Sequence, residues 1–207
     1  MSAHAEHAAH EHAGHGHGPP IANQSSRIEP PVLGMFLFIA SEAMLFGAFF
    51  TAYFFVRVVN PEAPSWPLEG FHLPVFVAGV NTVILVTSSF TMHWALQSIK
   101  RGNRTGLKAG LVLTFMMGLA FLVTQMLEYA RIGFNPADGS FGTIFYGLTG
   151  LHGAHVFVGL TLLAVATVRA FRGHFTPEHH HGVELPGIYW HFVDVMWIVV
   201  YATIYLI

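Results

Sequence analysis

The sequence predicts an all-α protein, a polytopic membrane helix bundle with five transmembrane helices. Composition is the first reason: hydrophobic residues make up 53% of the 207 residues and charged ones 10%, which is too apolar for a soluble domain of this size. The second is length. Five apolar stretches, about 32–58, 73–98, 107–130, 141–171 and 183–207, can each cross a bilayer core of roughly 30 Å at ~1.5 Å rise per residue. The connections between them are short, so successive helices should run antiparallel as neighbours.

What the composition lacks is also informative. Cysteine is absent, which excludes disulfides, thiolate metal centres, cysteine-held iron–sulfur clusters and a cysteine nucleophile. The net charge of −2 gives no reason to expect nucleic acid as a partner. Two domains are expected: residues 1–31 as a His-rich disordered cytoplasmic tail that is retained, and 32–207 as the five-helix transmembrane domain. The tail carries His4, His7, His10, His12, His15 and His17. Such tracts can bind metal, so these are weak metal candidates, set against the plainer reading of a solvated tail with incidental affinity.

The first span places Glu42 about ten residues past Val32, roughly 15 Å into the membrane and so near its midplane. A carboxylate there must be neutral, or paired with a group from a neighbouring helix. The second span holds small polar groups, among them Ser88, Ser89, Thr91 and His93, that read as helix-to-helix hydrogen bonding. In the third, Gln125, Glu128 and Arg131 recur every three residues near one end, where a local ion pair and water would satisfy them.

The fourth span carries His152 and His155 on one face. They lack the spacing of a zinc hydrolase, and structural hydrogen bonding is the reading taken for them. In the last span Glu184, Gly187, His191, Asp194, Ile198, Tyr201 and Tyr205 share a helical face. Asp194 falls near the midplane, and His191, one turn earlier, is the expected partner.

Basic residues orient the chain. Arg27, Lys100, Arg101, Arg104, Lys108, Arg169 and Arg172 lie on one side, and only Arg57 and Arg131 on the other. The positive-inside rule makes the amino terminus cytoplasmic and the carboxyl terminus external. His174, His179, His180 and His181 then share the cytoplasmic side with the tail.

Four motifs resemble subunit III of the haem–copper respiratory oxidases. They are Phe38-Ile39-Ala40-Ser41-Glu42-Ala43-Met44-Leu45-Phe46, then Gln125-Met126-Leu127-Glu128-Tyr129, then the run 145–156 with its His-Gly-Ala-His, and Tyr189-Trp190-His191-Phe192-Val193-Asp194. The resemblance spans the whole membrane region and implies a subunit with no redox centre of its own. Such a chain belongs to an oxidoreductase complex that reduces oxygen to water in subunit I, where partner subunits carry haem and copper. It implies direct contact with subunit I, subunit II in the same complex, and bound phospholipid. Support for assembly and proton uptake and a bacterial-type inner (plasma) membrane are also expected. Glu42, His155, Trp190, His191 and Asp194 match the family motifs and are the lipid- or proton-related candidates, while His152, Gln125 and Glu128 are the structural polar ones. The first motif falls in the first span, so the chain resembles the five-helix form of a family whose longer form has seven helices. Cytochrome c is the expected donor and a quinol the alternative. From another class, a small metal or proton transporter lined by Glu42, Asp194 and the histidines is the rival.

Overall fold

The computed structural model describes residues 29–59 and 73–207. The six tail histidines, the tail up to residue 28 and most of the first connection lie outside the described residues. Five helices of membrane-spanning length and apolarity are present, and no strands occur among the described residues. Helix α1 is Pro30–Phe54, continued by a π-helical turn over Phe55–Val59. Then come α2 (Val75–Lys100), α3 (Arg104–Tyr129), α4 (Gly139–Phe171) and α5 (His181–Tyr201), the last running on through a π-turn over Ala202–Leu206. Local chemistry sets the ends. Pro30 opens α1, where its missing N–H is harmless, so the helix starts before the expected residue 32. Between α2 and α3, Gly102 takes φ 75°, and the Asn103 side chain then caps α3 by accepting from the Gly106 N–H at 2.9 Å.

Four of the helices form a closed ring: α2 packs on α3, α3 on α4, α4 on α5, and α5 returns to α2. Trp190 of α5 fills its centre and is fully buried. Only glycine leaves room for the indole. A Cβ at Gly118 of α3 would lie 2.4 Å from the ring, and one at Gly159 of α4 2.8 Å from it. The indole N–H donates to Ser88 Oγ of α2 at 2.9 Å, so one side chain touches all three other helices of the ring. Two turns further on, Trp197 donates to Thr82 Oγ1 at 2.9 Å, packs obliquely on His152 and meets Phe121 edge-on.

Helix α1 lies outside this ring, against α4 and α5. Phe38, Glu42, Phe46, Tyr53 and Arg57 recur at helical spacing and form its inner stripe. Phe46 is wedged between His155 and Phe192, and the Tyr53 hydroxyl donates to the Thr203 carbonyl at 2.7 Å. The remaining faces of α1 expose large apolar side chains such as Phe36, Leu37 and Met44, as a helix facing hydrocarbon does.

Candidate functional site

The two mid-membrane carboxylates occupy separate sites. Glu42 Oε2 lies 2.9 Å from His155 Nε2, and His155 Nδ1 lies 2.8 Å from the Leu151 carbonyl. A carbonyl oxygen can only accept, so Nδ1 carries a hydrogen. Nε2 then either accepts from a protonated Glu42 or donates to its carboxylate. In both cases the pair holds a single proton between its two atoms. A cleft of about 220 Å³ lined by Phe38, Glu42, Ala154, His155, Val158 and Tyr189 opens beside it.

Asp194 is solved differently. Its direct partner is Ser89 Oγ of α2, which donates to Asp194 Oδ2 and also lies 2.9 Å from His191 Nδ1. The expected Asp194–His191 contact is therefore corrected to a bridge through Ser89, because residues three apart on one helix share a face without necessarily touching. With Asp194 ionised, the hydrogen-bond direction runs from His191 Nδ1–H to Ser89 and from the Ser89 O–H to Asp194. With Asp194 protonated it reverses, so the triad can pass a proton between histidine and carboxylate without moving a heavy atom.

Further polar side chains lie along α2. Ser89, His93, Gln97 and Lys100 share one face. The Gln97 amide nitrogen is 3.5 Å from His93 Nε2. At the helix ends Lys100 Nζ stands 4.0 Å from Glu184, and His181 contacts Glu184 at 3.3 Å and Glu29 at 2.9 Å. An interrupted polar seam thus runs between the α1 and α5 amino-terminal ends and Asp194, roughly 20 Å further along α5 at ~1.5 Å per residue, made of three separate groups: Glu29, His181, Glu184 and Lys100; Gln97 and His93; and the Ser89–His191–Asp194 triad. From sequence, Ser89 and His93 are expected only as helix contacts, and Gln97 carries no expectation. Their regular spacing along the same helical face as Lys100 was the available signal.

The other candidates are placed as follows. Trp190 is fully buried, which removes it from any lipid-facing surface of this chain. His152 is fully buried and makes no hydrogen bond at either nitrogen. It packs between the Phe121 and Trp197 rings instead, correcting the hydrogen-bonding role expected of it. Glu128 forms no ion pair with Arg131, which corrects the local pair expected there, and Gln125 lies instead within reach of the Tyr129 and Tyr205 side chains. Among the described residues, no three His, Asp or Glu side chains converge to hold a metal ion.

A family model described as cytochrome c oxidase subunit III matches residues 25–207. Cytochrome c oxidase subunit 3 of Loxodonta africana is 39% identical over 194 residues, covering 92% of this chain and 72% of the relative. The Thermostichus vulcanus protein of the same name is 38% identical over 177 residues, covering 85% of this chain and 87% of the relative. That of Rattus norvegicus is 38% identical over 194 residues, at 92% and 72% coverage.

Proposed function

The chain belongs to the cytochrome c oxidase subunit III family, and from that premise we propose that it is the non-catalytic subunit III of a proton-pumping terminal oxidase, packed against subunit I in one complex with subunit II. Haem and copper belong to those partners, and oxygen is reduced in subunit I. The names carried by the relatives favour cytochrome c over a quinol as donor, and membership in the family replaces the transporter reading. The reading places the chain in a bacterial-type plasma membrane, and the positive-inside bias of its basic residues supports the amino-terminal ends of α1 and α5 at the cytoplasmic face.

The observation that carries the reading is the seam from Glu29, His181, Glu184 and Lys100 to the Ser89–His191–Asp194 triad. It supports a role in proton uptake, because it lines titratable groups from the cytoplasmic surface to mid-membrane. At its mouth His174, His179 and His181 line a pocket with Arg169, and imidazoles exchange protons readily near neutral pH. The cleft beside Glu42 supports a second task, holding a lipid chain against α1 and α4.

Steady-state oxygen uptake by the reconstituted complex tests the proton role, measured from about pH 6.5 to 8.5 across the imidazole range. Asp194→Asn and His93→Leu should slow progressively relative to the parent as pH rises and protons become scarce, with subunit III retained. Superimposable pH profiles would remove the seam from proton uptake.

A further inference from the structure

Polar contacts fasten helix α1 to the ring at three depths. The Tyr53–Thr203 bond holds one end, the Glu42–His155 pair the middle, and a contact between Glu29 and His181 the amino-terminal end. The third has a feature the others lack. His181 Nε2 lies 2.9 Å from a Glu29 carboxylate oxygen, while His181 Nδ1 lies 3.3 Å from a Glu184 carboxylate oxygen. Both acids reach solvent, where carboxyl groups are ionised near neutral pH. An ionised carboxylate only accepts hydrogen bonds, so both ring nitrogens have to donate, and only the imidazolium carries a hydrogen on each. A neutral imidazole turns a lone pair on one of the two carboxylates.

The surroundings decide which contact gives way. Glu184 is held a second time, with its other oxygen 4.0 Å from Lys100 Nζ of α2, and it shares the first turn of α5 with His181. Glu29 is fixed to α1 alone: Pro30 and Pro31 follow it directly, and its carbonyl accepts from the Val32 and Leu33 N–H groups at 3.0 Å. It therefore moves with the first turn of that helix. Only 6% of the most apolar stretch of α1 is buried, which leaves little apolar packing to hold the end in place. The ring also faces basic groups. His180 stacks on it with centroids 6.0 Å apart, and Arg169, His174 and His179 line a pocket with it.

We propose that His181 is a pH-sensitive latch on α1: as an imidazolium it bridges Glu29 to Glu184, and loss of its proton frees the amino-terminal end of α1. The closed latch holds one proton more than the open one wherever a free imidazole is neutral, so it is closed at lower pH and opens as pH rises. Phe38 and Glu42 of α1 form one wall of the cleft against α4, and the latch sets how firmly that wall is held at one end. It shares residues with the mouth of the seam but concerns the mobility of α1, not the passage of protons.

Hydrogen–deuterium exchange over residues 32–40 of the purified oxidase complex tests the latch, with each variant compared with the parent at the same pH so that the intrinsic exchange rate cancels. At about pH 6, below the imidazole range, the parent should exchange roughly threefold more slowly than His181→Gln, the scale of an exposed ion pair. At about pH 8.5, above that range, the two should coincide. His181→Arg keeps a permanent charge and several N–H donors, so it should hold the slower rate at both values. Equal rates for parent and His181→Gln at the lower pH, or a parent that stays slower than His181→Gln at the higher one, would overturn the proposal. So would an Arg variant that exchanges as fast as the Gln variant, or a Gln variant that loosens residues 181–206 to the same degree. Turnover is not the readout, so the latch and the proton reading fail separately.

Discussion

Glu42 and Asp194 meet the same difficulty in two parts of the molecule and resolve it in opposite ways. Each is a carboxylate deep in an apolar span, where an unpartnered charge costs at least ~2.5 kcal/mol on insertion scales. Glu42 sits on the outlying helix: 6% of the most apolar stretch of α1 is buried, against 50% for α5. It is held by one imidazole across a helix interface and flanked by an open cleft. Asp194 sits inside the ring and shares Ser89 with His191, at the end of a line of polar groups. A polar contact on a peripheral helix acts as a tether, because few other contacts hold that helix. The same chemistry in the core can belong to a network, because neighbouring helices supply further members.

The largest expected effect falls on the core. Asp194→Ala removes the acceptor from Ser89 and leaves His191 with a broken chain, which should destabilise the subunit by about 3 kcal/mol. Asp194→Asn keeps an acceptor and should lose about 1 kcal/mol. Thermal unfolding of the detergent-solubilised complex, with subunit retention followed on a gel, measures both, and equal losses would break the network reading. Glu42→Leu comes next, at about 2 kcal/mol and confined to α1. Glu42→Gln should be nearly silent, since its amide N–H can donate to His155 Nε2. Tyr53→Phe should be smallest, about 1 kcal/mol, because it removes only the hydroxyl bond to Thr203 at the far end of α1.

How the sequence reading fared follows from the range of each interaction. The five spans were legible because hydropathy and length are local properties, and the family motifs lie within single helices. Partners were less legible because helix packing chooses them. Glu42 meets a residue 113 positions away, and Asp194 a serine 105 positions away. Two expected contacts were local and do not form: Asp194 with His191, and Glu128 with Arg131. His152 failed for another reason. Its place between Phe121 and Trp197 depends on where three helices bring their rings, which no spacing within α4 encodes.

Sidedness underlies the direction of the seam and can be checked with single cysteines. One at Ser140 should react with an impermeant thiol reagent added outside, and one at Asn103 should not. The reverse pattern would turn the mouth of the seam toward the wrong compartment.

The central claim is that one carboxylate tethers a helix while the other belongs to the core network. Hydrogen–deuterium exchange in the assembled oxidase tests it most directly, by comparing Glu42→Leu with Asp194→Ala over residues 30–59 and 181–206. The account predicts that Glu42→Leu speeds exchange in 30–59 and leaves 181–206 protected, while Asp194→Ala does the opposite. Faster exchange in the same segment for both variants would contradict it.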